Sequence, residues 1–235
     1  RARCVFELFC AFLTTRGGAK VTPALLVRSG TGIPNWVSPL ECMKLAVGTS
    51  IFDCCETNHT TIKQCRRQVC LVILDRLIEK RARSLFANNN YAEARETISL
   101  RNYWCRGLID ENTQKHWSTL HEFKFHLRWR APQDALLIDR EGFPLLAFAA
   151  SSDCPLVVQQ TLAEIEKILD VKKRRFYIQG RIPKCGIVGL GMTGGCTALI
   201  YAMAASRPEI VSLLLKHGML FSSMTFFPFT VSLHL

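Results

Sequence analysis

Two stretches of this chain repeat each other in register, and that self-similarity constrains the fold more than composition does. One carries Asp139, Gly142, Pro144, Leu146, Ala149, Val157, Val158 and Leu162. The other carries Gly195, Thr197, Leu199, Ala202, Ile210, Val211, Leu214, Leu215 and Gly218. Thirteen positions separate Pro144 from Val157 and Thr197 from Ile210, and a glycine stands two residues before each start. A unit this short cannot bury its apolar face alone, so it must stack on a neighbour. The register predicts two antiparallel helix pairs, over 143–169 and 196–217, lying side by side. A chain of 235 residues with 49% hydrophobic and 21% charged side chains has the composition of a folding, globular protein.

Local patterns agree with helices. Val158, Leu162, Ile165 and Leu169 make one stripe along 155–169. Residues 209–217 open with Glu209 behind Pro208 and close with Lys216, His217 and Gly218, which suits the helix dipole and its caps. A helix is predicted over 69–83, and Asn88, Asn89 and Asn90 supply a cap for another beginning at Tyr91. Around Phe123, Phe125, Leu127 and Trp129 the pattern is divided. These alternate with Lys124, His126, Arg128 and Arg130 at strand period, whereas Trp117 and Leu120 extend a helical stripe through Lys124 and Leu127. Interleaved aromatic and basic residues suit a nucleic-acid surface or an amphipathic element with its apolar side buried.

The paired units resemble the ankyrin repeat, in which a Gly-x-Thr-Pro-Leu-His-x-Ala turn opens a short inner helix and an Ile-Val-x-x-Leu-Leu-x-x-Gly outer helix runs back. The copy at 195–219 is close, through Thr197, Ala202, Val211, Leu214, Leu215 and Gly218; the copy at 142–165 has Pro144 where threonine caps. Ala147 and Ile200 replace the turn histidine in both. A third copy is read in Ser38, Pro39 and Leu40 together with Ile73 to Ala82, where Leu77 and Ile78 imitate the leucine pair. The resemblance implies an all-α, ankyrin-type helical solenoid with insertions and a non-repeat helical segment. Its regions are a divergent repeat-like part with a cysteine-rich insertion at 1–84, a connecting helical segment at 85–134, two repeats separated by a basic insertion at 135–220, and an apolar tail at 221–235. It also implies a non-enzymatic, intracellular module that binds a protein partner through turn tips and inner helices. The surface so implied comprises Arg140, Glu141, Ser152, Asp153, Met203, Ser206 and Arg207, with Lys172, Lys173, Arg174 and Arg175 between the repeats.

Charge refines the partner. The chain carries 30 Lys plus Arg against 19 Asp plus Glu, a net +11. The excess is local: residues 171–185 hold Lys172, Lys173, Arg174, Arg175, Arg181 and Lys184 and no acid. Phe176 and Tyr177 lie beside them. With them the cluster could neutralise phosphates and stack a base, or act as a localisation signal, while the plainest reading is a solvated insertion loop. The repeat surface that borders it leans positive, which favours an acidic or phosphorylated protein partner, with nucleic acid less favoured.

Two other constellations give rival readings. Gly189, Gly191 and Gly194 form a literal GxGxxG, and Glu209 follows twenty residues after the first glycine, the pattern of a dinucleotide-binding oxidoreductase. The chemistry wants that acid at the tip of a second strand, yet Glu209 follows Pro208 at a helix start. Cys54, Cys55, His59, Cys65 and Cys70 have zinc-ligand types, which would suit a zinc-bearing nucleic-acid binder, but the spacings fit a finger poorly and no metal site is assigned. No catalytic motif is present, and no cofactor or small-molecule substrate is expected. Eleven cysteines, an odd number in a chain this long, suit reduced thiols inside a cell. Asn58 and Thr60 form a glycosylation sequon that matters only in a secreted chain. Arg1 in place of methionine reads as a piece of something longer or a processed product, which leaves no leader to judge. The uncharged run Gly218–Leu233 falls short of a membrane span; it is expected to be a truncated final element or a tail packed on the last helix, with membrane contact by it not favoured.

Overall fold

A computed structural model of the chain describes residues 2–15, 24–26, 35–37, 47, 66–108, 117–130, 137–182, 195–205 and 208–219. Helices dominate it. In chain order they are α1 (Ala2–Thr14), α2 (Arg66–Ala87), α3 (Tyr91–Ser99), α4 (Arg101–Trp104), α5 (Leu120–His126), α6 (Leu145–Ser151), α7 (Pro155–Glu166), α8 (Val171–Ile178), α9 (Ala198–Ala205) and α10 (Pro208–Lys216). A short antiparallel pair, β1 (Ala24–Leu26) and β2 (Asn35–Val37), joins Leu25 to Trp36 in register.

The repeated segments fold into repeated structure. Ser152 to Cys154 turn the chain so that α7 packs on α6, with Asp153 in the left-handed region at φ 54°. The second unit pairs α9 with α10; α6 then packs on α9 and α7 on α10, so the two helix pairs lie side by side as the register predicts. Val157, Val158, Ile210 and Leu214 are all fully buried where these helices meet. The stripe of α7 holds at Val158, Leu162 and Ile165, but the helix ends at Glu166 and leaves Leu169 93% exposed.

Arginines lock the amino-terminal helices onto this stack. Arg81 of α2 donates to the Phe12 and Thr15 carbonyl oxygens at the end of α1, at 2.9 and 2.8 Å, and pairs with Glu93 of α3. Carbonyls at a helix end have open acceptor positions, and the buried guanidinium fills them here, the Phe12 oxygen also accepting from the Thr15 amide at 3.1 Å. Phe9 and Phe12 meet Trp104 edge-on beside this joint. Asn90 caps α3 through its side chain, as the asparagine run predicts. Helix α2 spans 22 residues against 12 for α7 and 9 for α10, so it is not a repeat-length outer helix. Ser38, Pro39 and Leu40, the turn of the third copy, lie outside the described residues.

The divided pattern around Phe123 resolves as helix α5. Thr119 accepts a hydrogen bond from the Glu122 amide at 3.1 Å, and the Glu122 carboxylate reaches back to the Ser118 amide at 2.8 Å. This reciprocal cap starts a helix that buries Leu120, Phe123 and Leu127 and leaves Phe125 outside.

Candidate interaction surface

Each repeat begins with a turn closed in the same way. In the first, the Asp139 amide donates to the Phe143 carbonyl at 3.0 Å and the Gly142 amide to the Asp139 carbonyl at 3.0 Å. In the second, the Ile182 amide donates to the Cys196 carbonyl at 3.0 Å and the Gly195 amide to the Ile182 carbonyl at 2.9 Å. Isolated antiparallel bridges, Ile138 to Pro144 and Arg181 to Thr197, flank them identically. Gly142 and Gly195 share a left-handed backbone, at φ 87° and 91°, which a side chain would strain. The turns differ at the tip. Two residues, Arg140 and Glu141, separate Asp139 from Gly142, whereas residues 183–194 separate Ile182 from Gly195. Gly189, Gly191 and Gly194 lie outside the described residues. The flanking Arg181 and Thr197 form an antiparallel bridge, and Glu209 stands in the first turn of α10, so neither provides the strand-borne acid a dinucleotide site needs.

Asp139 organises the first turn. Its carboxylate accepts from the Glu141 and Phe143 amides at 2.9 and 2.7 Å and from Arg95 Nη1 at 2.8 Å. Arg95 also donates from Nε to the Leu127 carbonyl at 3.0 Å and from Nη2 to the Arg128 carbonyl at 3.2 Å, and its guanidinium lies over Trp129. One buried arginine therefore ties α3, the end of α5 and the repeat turn together. Burial pushes the Asp139 carboxyl above the ordinary carboxylate range, against the pull of the Phe143 amide and Arg95. The Asx-type turn was readable from Asp139 and Gly142, but nothing in the sequence pointed to Arg95 as its partner. Ile182, fully enclosed, occupies the matching place in the second turn.

The expected surface is brought together only in part. Arg140 and Glu141 stand exposed at the first turn tip, Arg140 with its guanidinium 4.1 Å from the Tyr91 ring centre. Met203 is half exposed on α9; Ser206 and Arg207 lie outside the described residues. Ser152 and Asp153 are corrections: both are buried. The Ser152 carbonyl accepts from Asn102 Nδ2 at 2.9 Å, and Asp153 pairs with Arg106 at 3.1 Å. The reason is that the segment containing α3 and α4 covers the inner helix of the first unit, so every residue of α6 is buried.

The basic cluster is a second correction, because Lys172 to Arg175 form helix α8 and not a loop. Asp170 caps it, accepting from the Lys172 and Lys173 amides at 2.8 and 3.1 Å. Arg174 turns inward and donates twice to the Ile168 carbonyl, at 3.1 and 2.8 Å. Lys172, Lys173 and Arg175 are exposed, and their side chains have no hydrogen-bond or ion-pair partner among the described residues. A cleft of about 350 Å³ separates α8 from the end of α10, lined by Val171, Arg174, Arg175, Ile178, Gln179 and His217. His217 Nε2 lies 3.3 Å from Glu166, and Gln179 Nε2 donates to the Gly218 carbonyl at 3.2 Å.

Of the cysteine cluster, only Cys70 is described, half-buried on α2; Cys54, Cys55, His59 and Cys65 lie outside, as do Asn58 and Thr60 of the sequon. Among the described residues no three His, Cys, Asp or Glu side chains converge as a metal would require, and no disulfide forms. Burial raises the Cys105 thiol to about 12. No helix among the described residues is long and apolar enough to cross a membrane, and the run beyond Met219 lies outside them. No protein-family model, curated protein or solved structure matches this chain.

Proposed function

We propose that the chain is a non-enzymatic interaction module of ankyrin-repeat type, a solenoid of at least two stacked units, that binds a protein partner inside the cell. The observation that carries this reading is the identical backbone closure of the two turns, with matching glycine conformations and matching helix pairs behind them. Such stacks present turn tips and exposed helix positions as a binding face while outer-helix leucines are spent on packing. Here the face consists of Arg140 and Glu141, the described flanks of the second turn at Arg181 and Gly195, and Met203. The inner positions of α6 contribute nothing, being covered.

The partner is acidic or phosphorylated. Arg175 lines the cleft beside α10, where Arg174 is held by the Ile168 carbonyl, and Lys172 and Lys173 add to the field on the same helix. An exposed arginine among lysines holds carboxylates and phosphates through charge-assisted hydrogen bonds. The test is affinity capture from cell extract by the wild-type chain and by an Arg140→Glu, Arg175→Glu variant. Capture should fall in the variant and with rising salt, because exposed charges are screened. Undiminished capture by a variant of unchanged far-UV circular dichroism refutes the assignment of the face.

A further inference from the structure

Besides its cleft-facing side, α8 carries an exposed side whose chemistry a protein partner does not account for. Leu169 is 93% exposed and Phe176 62%, two open apolar side chains within eight residues, and Val171 at the rim of the cleft is 69% exposed. Lys172 and Lys173 stand four and three residues before Phe176 and so share its side of the helix. Leu169 precedes the capping Asp170, the place from which an apolar residue normally packs on the fourth helical position. That position is Arg174, whose guanidinium is turned to the Ile168 carbonyl, so the leucine finds no apolar partner there.

We infer that this side of α8 docks on an anionic phospholipid surface. Lys172 and Lys173 supply two cations whose side chains have no partner among the described residues, with Arg175 nearby at the rim of the cleft, and residues 171–185 contain no acid. The neighbouring carboxylates are committed elsewhere: Asp170 caps the helix and Glu166 faces His217. A nucleic acid would use the cations and stack on Phe176, but it would leave Leu169 in water. A bilayer interface accepts aliphatic and aromatic side chains alike beneath its anionic headgroups. The described chain ends at Met219, beside α8 through the bond from Gln179 to Gly218. Short cationic helices with exposed apolar side chains hold membranes reversibly.

The experiment sediments the full chain with vesicles of phosphatidylcholine alone and of phosphatidylcholine with phosphatidylserine in equal parts. Binding is expected on the anionic vesicles only. Lys172→Glu with Lys173→Glu should weaken it on the order of thirtyfold, from about fivefold per cation. Leu169→Ser with Phe176→Ser should weaken it at least tenfold while leaving the circular dichroism unchanged, since all four side chains are exposed. Equal binding to both vesicle types, binding to neither, or undiminished binding by the serine pair overturns the inference. Retention on polyuridylate or polyglutamate in place of vesicles also overturns it, and assigns the face to nucleic acid or to an acidic protein.

Discussion

Leu214 and Leu215 are adjacent and chemically identical, yet the fold treats them differently, which makes them a sharp test of the stacked arrangement. Leu214 is fully buried where α10 meets the neighbouring unit, and Leu215 is 38% exposed. Replacing Leu214 by alanine removes three buried carbons, about 2.4 kcal/mol at about 0.8 kcal/mol each. The cavity left behind adds to this, which places the total at roughly 3 to 5 kcal/mol. At Leu215 the same change removes carbons that are partly wet already, so the transfer loss is about 1.5 kcal/mol, and no closed cavity remains. Urea unfolding followed by far-UV circular dichroism measures both, with the midpoint read at constant slope. A Leu215→Ala cost equal to or above that of Leu214→Ala refutes the packing of α10 described above.

Arg95→Ala should destabilise by roughly 3 to 5 kcal/mol in the same assay, because it strands the enclosed Asp139 carboxylate without its cation. A loss below about 1 kcal/mol would mean that the turn does not depend on this pair. Burial lifts the Cys105 thiol from its ordinary 9.0 to about 12, so the unfolded chain ionises there first. Its contribution to stability is therefore present below pH 9.0 and lost as pH climbs towards about 12. The wild type should consequently lose stability faster than Cys105→Ala across that window; parallel curves contradict the burial. Adding NAD or ATP should leave the melting temperature unchanged. A ligand at a hundred times its Kd would stabilise by about 2.7 kcal/mol, so a clear upward shift would revive the dinucleotide reading of the glycines.

The sequence by itself determined the helix pairs and their register, because periodic apolar positions and end signals act locally. Pro208 with Glu209 starts α10, Asn90 starts α3, and the offset shared by Pro144 and Thr197 recurs as two turns with the same hydrogen bonds. The helix at Phe123 was equally local, written in Thr119 and Glu122, but strand-like alternation hid the cap. What only the tertiary structure decided depends on residues far apart in the chain. Arg95 meets Asp139 across 44 positions, and Asn102 meets Ser152 across 50. No periodicity encodes such meetings. They bury α6 entirely, remove Ser152 and Asp153 from the surface, and shift the exposed chemistry to α8. The four cations show the same division. Their charge was plain in the sequence, but only folding turned Arg174 towards a carbonyl and left Lys172, Lys173 and Arg175 in solvent, because a helix cap at Asp170 fixed the side each one occupies.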